Sequence, residues 1–140
     1  MLHTINAALP HIQQLAADDR VGAAAWDAYV LAHPQATFFH RVCWRDVLSS
    51  VLHHQPFYLY ARAKGRIVGV LPLAQVKTWL FGHALVGLPL AVYGGVVADT
   101  PLVAVALEQA ALALARQLGA QHLELRNSAP RHPDWPTQDL

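Results

Sequence analysis

The sequence predicts an α/β (α+β) fold, a single domain built on one mixed, mostly antiparallel sheet flanked by helices. Three observations carry that prediction. Between Phe57 and Ala98, aromatic and β-branched segments alternate with turn residues, the pattern of a strand meander. From Thr100 to Gly119 an apolar stripe runs along a helix with both a start and a stop signal. After Gly119 a short alternating segment follows, so a strand returns behind the helix. Helices, meander, helix and returning strand, in that order, suit one sheet with helices packed on it.

A first strand is expected over Thr4 to Leu9, stopped by Pro10. Asp18 and Asp19 precede a helix over Val21 to Ala32, whose Trp26, Tyr29 and Val30 share a broad apolar face. His33-Pro34 ends it, because proline pushes the residue before it out of the α region. Trp44, Val47, Leu48 and Val51 fall at i, i+3, i+4 and i+7, which predicts a second helix over Trp44 to Leu52. Strands follow at Phe57 to Ala63 and Arg66 to Val76, joined by a Lys64-Gly65 turn. Pro72 has no N–H for a ladder, so it belongs at an edge, at a bulge or where the sheet opens. Further strands are expected at Ala84 to Leu88 and Tyr93 to Ala98.

In the capped helix Thr100 is the N-cap, Pro101 the first helical residue and Gly119 the residue past the last turn. Leu107, Ala111, Leu114 and Leu118 line one face, with Gln109 and Arg116 opposite. In the strand Gln121 to Arg126, Leu123 and Leu125 face one way and His122, Glu124 and Arg126 the other. Residues 1–127 form the domain. The tail 128–140, with three prolines and no periodicity, is a linker.

Composition narrows the function classes. The chain has 140 residues, 54% apolar and 14% charged, which excludes a disordered polar chain. Net charge is +1 and no Lys/Arg stripe forms, so nothing supports nucleic-acid contact. A single cysteine, Cys43, excludes an internal disulfide and fits a reducing cytoplasm. The N-terminus has neither the basic region nor the apolar core of a signal peptide. From Thr78 to Ala98 the chain carries no formal charge and is long enough to span a membrane. Gly82, Gly87, Pro89 and Gly94-Gly95 interrupt it, however, and favour two short buried strands.

Motifs for chemistry are few. Nine histidines show no ligand spacing, and His53-His54 are adjacent and face apart, so no metal site is expected. A G-x-S-x-G elbow, a P-loop and a G-x-G-x-x-G loop are all missing. Cys43, at the expected start of a helix, reads as a small buried residue before it reads as a nucleophile. Three segments stand out. Phe38 and Phe39 lie in a loop before a helix, as a staple under Trp44 or as the lining of a cleft. Tyr93-Gly94-Gly95 is a turn or bulge, or a place where backbone approaches a ligand. His122, Glu124 and Arg126 give one strand face three polar side chains, a solvated face or part of a site.

The ordered set WDAYV, HPQATFFH with a following Trp44, GRIVGVLPLA, LFGHALVGLP, AVYGGVVAD and HLELRN…HPDWP resembles FemAB-like proteins of the GNAT superfamily. More narrowly it is similar to the FemAB-related group associated with PEP-CTERM/exosortase and exopolysaccharide systems. The resemblance runs from Trp26 to Leu140. It implies a GNAT-like domain that is the N-terminal half of a protein with two such halves, the second lying beyond the linker. It implies transfer of an acyl or aminoacyl group to an amine, on a small-molecule or peptidyl acceptor. The alternative is a non-catalytic GNAT-like binding module.

On that resemblance Phe38, Phe39, Tyr93, Gly94, Gly95 and Arg126 are the candidates for substrate binding. His40, Tyr93 or Glu124 are candidates for the proton, with a water as the alternative. The GNAT phosphate cradle, R/Q-x-x-G-x-G/A, is absent from the matching YGGVVADTP, and Asp99 stands near the expected phosphate position. No cofactor is therefore expected on this half, and the acyl donor is left open. An apolar surface where the partner half docks is expected to drive self-association of the isolated chain.

Overall fold

The computed structural model describes residues 10–79, 82–88, 95–127 and 134–136. Strand β1 (His11–Gln14) leads into helix α1 (Arg20–Ala32), a 3-10 turn (Phe38–His40) and a single α turn, α2 (Cys43–Asp46), which widens into a π turn (Val47–Val51). Then come β2 (Gln55–Ala63), β3 (Arg66–Thr78), β4 (Gly82–Val86), β5 (Val97–Ala98), α3 (Pro101–Leu118) and β6 (His122–Glu124). These strands form one sheet in the order β1-β2-β3-β4-β6, with β5 also paired to β3. Every pairing is antiparallel except β4 with β6. The predicted class and the membership of the final strand in the sheet both hold.

Local chemistry sets the element ends. Asp19 caps α1, its carboxylate accepting the Gly22 N–H at 2.8 Å, and His33 leaves the helix in extended backbone before Pro34. Lys64 (φ 51°) and Gly65 (φ 78°) form the two-residue turn between β2 and β3, the left-handed pair that matches strand twist. Three residues further on, the register slips. Ala61 pairs with Gly69 but Arg62 pairs with Ile67, so Val68 is an extra residue on β3. Thr100 caps α3 through the Val103 N–H, and Gly119 closes it at φ 73°.

The core divides between the two sheet faces. On one, Trp26 and Val30 of α1 and Leu48 of the π turn pack on Tyr58, Tyr60, Ile67 and Val70. Trp26 stacks on Tyr58 with ring centroids 5.0 Å apart. On the other, Val103, Leu107, Ala111 and Ala115 of α3 pack on Leu59, Leu71, Leu73 and Leu85. The approach is closest at Gly69, where a Cβ would stand 2.7 Å from Val103 Cγ1. Helix α3 is long and apolar enough to cross a membrane by composition, but its apolar stripe is packed on the sheet.

Several boundaries differ from the sequence expectation. The strand expected over Thr4 to Leu9 lies outside the described residues; β1 begins just after Pro10, at a sheet edge whose first paired residue is His11. The helix expected over Trp44 to Leu52 is instead an α turn that opens at Val47, where Leu52 N–H reaches the Val47 carbonyl. Two serines and two β-branched valines are weak helix formers, and Ser49 Oγ donates to the Asp46 carbonyl. Strand β4 stops at Val86 rather than Leu88; of the strand expected from Tyr93 to Ala98, Val97 and Ala98 are strand, Gly95 and Val96 are not, and Tyr93 and Gly94 lie outside the described residues.

Candidate functional site

The sheet parts beside β3. Its N-terminal stretch pairs with β5 through Gly69 and Val70, and its C-terminal stretch pairs with β4 from Ala74 onward. Between the last β4 pair, Ala74 with Val86, and the nearest β5 pair, Val70 with Val97, β3 advances only from Leu71 to Leu73. Pro72 sits in the middle of that stretch, so its missing N–H falls where the sheet opens. Leu88 turns the chain out of β4 with φ 51° while fully buried, a conformation that costs a bulky residue about 1–3 kcal/mol.

His40 braces this opening from the helix side. The side chain is 1% exposed. Its Nδ1 accepts from the Thr37 N–H at 3.0 Å and lies 2.9 Å from the Thr37 hydroxyl. With Nδ1 accepting, the proton is assigned to Nε2, which donates to the Gly95 carbonyl at 2.9 Å. Burial is the main cause that lowers the His40 pKa, opposed by the bonds to Gly95 and Thr37, so the ring is neutral. The loop that carries it is tied to α1: Trp26 Nε1–H donates to the His40 carbonyl, and Asp27 accepts the Val42 N–H.

The other side of the opening is β6. It runs parallel to β4 from Ala84/His122 to Val86/Glu124, and Gly87 N–H extends the ladder to the Glu124 carbonyl. Arg126 Nε meets Glu124 Oε1 at 2.8 Å, so the polar face of this strand is an ion pair at its exposed side. One residue on, Asn127 Oδ1 accepts the Val96 N–H at 3.3 Å, and its side chain occupies the space a Cβ on Gly95 would need.

The structure thus brings His40 and Gly95 into direct contact and sets Asn127 against both Gly95 and Val96. Phe39 packs edge-on to Trp44 at 5.1 Å, the staple geometry, while Phe38 is 60% exposed. Glu124 ends β6, the strand paired with β4, and Arg126 follows it by two residues. Tyr93 and Gly94 lie outside the described residues. No group of three or more His, Cys, Asp or Glu side chains gathers among the described residues.

Sequence reasoning missed several participants. Asn127 was legible only as part of a motif string. Tyr29 donates toward Asp99 Oδ1 at 2.8 Å and toward the Val68 carbonyl at 3.1 Å, which ties α1 to the entrance of α3. Asp99 is therefore engaged by a phenol; burial, and then Asp99 itself, push the Tyr29 pKa far above its usual value. Glu108, buried on α3, was also unread, because its spacing places it on the edge of the apolar stripe.

No family model matches the sequence, and no curated protein matches it. Solved structures do. A ribosomal-protein-alanine N-acetyltransferase from Brucella melitensis biovar Abortus 2308 superposes with TM-score 0.58 at 18% identity, over 93% of this chain and 98% of that one. A GNAT family acetyltransferase from Staphylococcus aureus subsp. aureus USA300_TCH1516 gives 0.50 at 12% identity, over 94% and 98%. The chain has a GNAT-like α/β fold, shared with these acetyltransferases. A transcriptional regulator from Bacillus halodurans C-125 shares it too, with TM-score 0.58 at 10% identity over 94% and 98%.

Among the described residues the arrangement offers a parting of β4 and β5 beside Leu71 to Leu73, and an Arg/Glu pair at the end of β6. Such a site can position a substrate by backbone hydrogen bonds and a guanidinium. His40, with both ring nitrogens bonded, holds the opening in shape.

Proposed function

We propose that this chain is the N-terminal half of a FemAB-like acyltransferase of the cytoplasm. It passes an acyl or aminoacyl group to an amine of a small-molecule or peptidyl acceptor, in cell-envelope or exopolysaccharide synthesis. The observation that carries the proposal is the opening beside Leu71 to Leu73, braced by His40, Gly95 and Asn127 from three separate segments. The fold shared with acetyltransferases and the ordered motifs support it.

A neutral amine attacks an activated carbonyl, and catalysis needs positioning, a proton acceptor and donors for the oxyanion. In this proposal Phe38 and Phe39 line the acceptor side, the backbone at Tyr93 to Gly95 approaches the substrate, and Arg126 holds a carboxylate. The proton falls to Glu124, Tyr93 or a water, since the His40 ring is engaged at both nitrogens. The acyl donor binds chiefly to a second GNAT-like half.

That same engagement of His40 favours a second reading, a non-catalytic binding module; the fold alone hosts a transcriptional regulator as well. Titration calorimetry with acetyl-CoA tests the assignment of this half. The expected result is no micromolar binding. Micromolar binding that Gly95→Ala weakens would make this half the donor site. An in-frame coding sequence for a second half after Leu140 supports the transferase over the module, and a stop codon there supports the module.

A further inference from the structure

A second concavity lies away from the opening. It is a groove of about 310 Å3 between α1 and the end of the β2–β3 hairpin. Ala25 and Ala28 of α1 and Ile67 of β3 form its apolar floor, Tyr29 closes one side, and Arg62 and Arg66 stand on the hairpin side. The Val68 bulge creates this geometry. By resetting the alternation of β3, it puts Ile67 opposite Arg62 on the face that α1 covers. The two alanines keep the space open where longer side chains would fill it.

The charge of the groove is one-sided. Arg62, Lys64 and Arg66 fall within five residues, and no carboxylate is among the groove's lining residues. Among the described residues the ion pair is Arg126 with Glu124, so these three cations lack a carboxylate partner. Arg62 lies over the Tyr60 ring at 5.6 Å, and its buried Nε has no hydrogen-bond partner there. The carboxylate that touches a lining residue, Asp99, is engaged by the Tyr29 hydroxyl. The Tyr60 ring is covered by Arg62, which leaves Tyr29 as the one aromatic among the groove's lining residues.

We propose that this groove binds an acidic peptide segment, a carboxylate meeting Arg62 and Arg66 while a neighbouring apolar side chain rests on Ala25, Ala28 and Ile67. A planar guanidinium takes a carboxylate through two parallel hydrogen bonds, and among the described residues no carboxylate is paired with Arg62 or Arg66. The groove's open form suits side chains of an extended chain, where an enclosed pocket would suit a free cofactor. This site is independent of the acyl-transfer proposal.

The test titrates the full chain, followed by amide NMR shifts, with a blocked hexapeptide of alternating glutamate and valine, and separately with a decauridylate. The expected result is peptide binding that shifts amides of α1 and of the hairpin around Lys64. Arg62→Ala and Arg66→Ala are each expected to weaken it about fivefold, the scale of an exposed ion pair. Ala28→Leu, which keeps every charge but fills the floor, is expected to weaken it too. Two outcomes overturn the proposal: peptide shifts that are absent or unchanged in the Arg62→Ala/Arg66→Ala double variant, or decauridylate binding more tightly than the peptide with Ala28→Leu without effect.

Discussion

His40 shows how one side chain ties down a residue distant in sequence, Gly95. A neutral ring accepts at Nδ1 and donates at Nε2, and protonation would turn the acceptor into a donor facing the Thr37 N–H. Its pKa in the folded chain is lowered, chiefly by burial, so the unfolded chain binds the proton more readily. The His40 contribution to stability is then complete above about pH 6.5, the unfolded value, and is lost as pH falls toward the folded pKa. Replacing it by glutamine is expected to cost about 1–3 kcal/mol at pH 8, with the gap to wild type narrowing toward pH 5. Chemical denaturation at both pH values checks this, and a gap independent of pH would sink it. Gly95 supplies a second prediction. Its missing Cβ admits the Asn127 side chain, so Gly95→Ala is expected to destabilise by about 1–3 kcal/mol. Adding Asn127→Ala should return only part of that, since the Asn127 Cα also stands 3.0 Å from the new methyl. Full additivity of the two substitutions in a double-mutant cycle would show that the clash is not the cause. The His40–Gly95 bond joins residues far apart in sequence, so a single residue type could mark His40 as a candidate but could not name its partner.

Helix α3 was the most legible element because its determinants are local. Thr100, Pro101 and Gly119 each act within one turn, and the structure places each where those properties predict. Removing the cap with Thr100→Ala is expected to cost about 1 kcal/mol, seen as a lower urea midpoint at unchanged slope. A cost near zero would mean that the 3.3 Å bond to the Val103 N–H contributes nothing in solution. The β2–β3 hairpin was legible for the same reason, its left-handed Lys64-Gly65 pair being a local signal. Strand β4 was not. Nothing in Ala84 to Leu88 announces that pairing ends at Val86, because the break is set by which part of β3 each strand meets. The Val68 bulge was equally silent, since its cause is a register slip against β2 and not a glycine. Pro72 was the one local hint of the opening, and it pointed to the right place.

At the scale of the whole molecule, the sheet is covered on both faces, by α1 with the π turn and by α3, so the large apolar clusters are internal. Among the described residues the large exposed apolar side chains are spread over several elements: Val21 and Leu31 on α1, Phe38, Val51, Trp79 just past β3, and Leu102 and Val105 on α3. Trp79 is the extreme case at 93% exposure. A tryptophan carries roughly 150–250 Å2, and at about 25 cal/mol per Å2 its burial gains some 4–6 kcal/mol. Association costs about 4–15 kcal/mol in lost translational and rotational freedom. One such residue therefore falls short of a tight dimer but suffices, with its neighbours, for weak and reversible contact. The isolated chain is expected to sediment as a monomer when dilute and to self-associate as concentration rises. Trp79→Ser is expected to reduce that association without altering the far-UV circular dichroism, because the side chain is almost wholly in solvent. Wild-type protein that stays a clean monomer at several hundred micromolar would show that these side chains make no common surface.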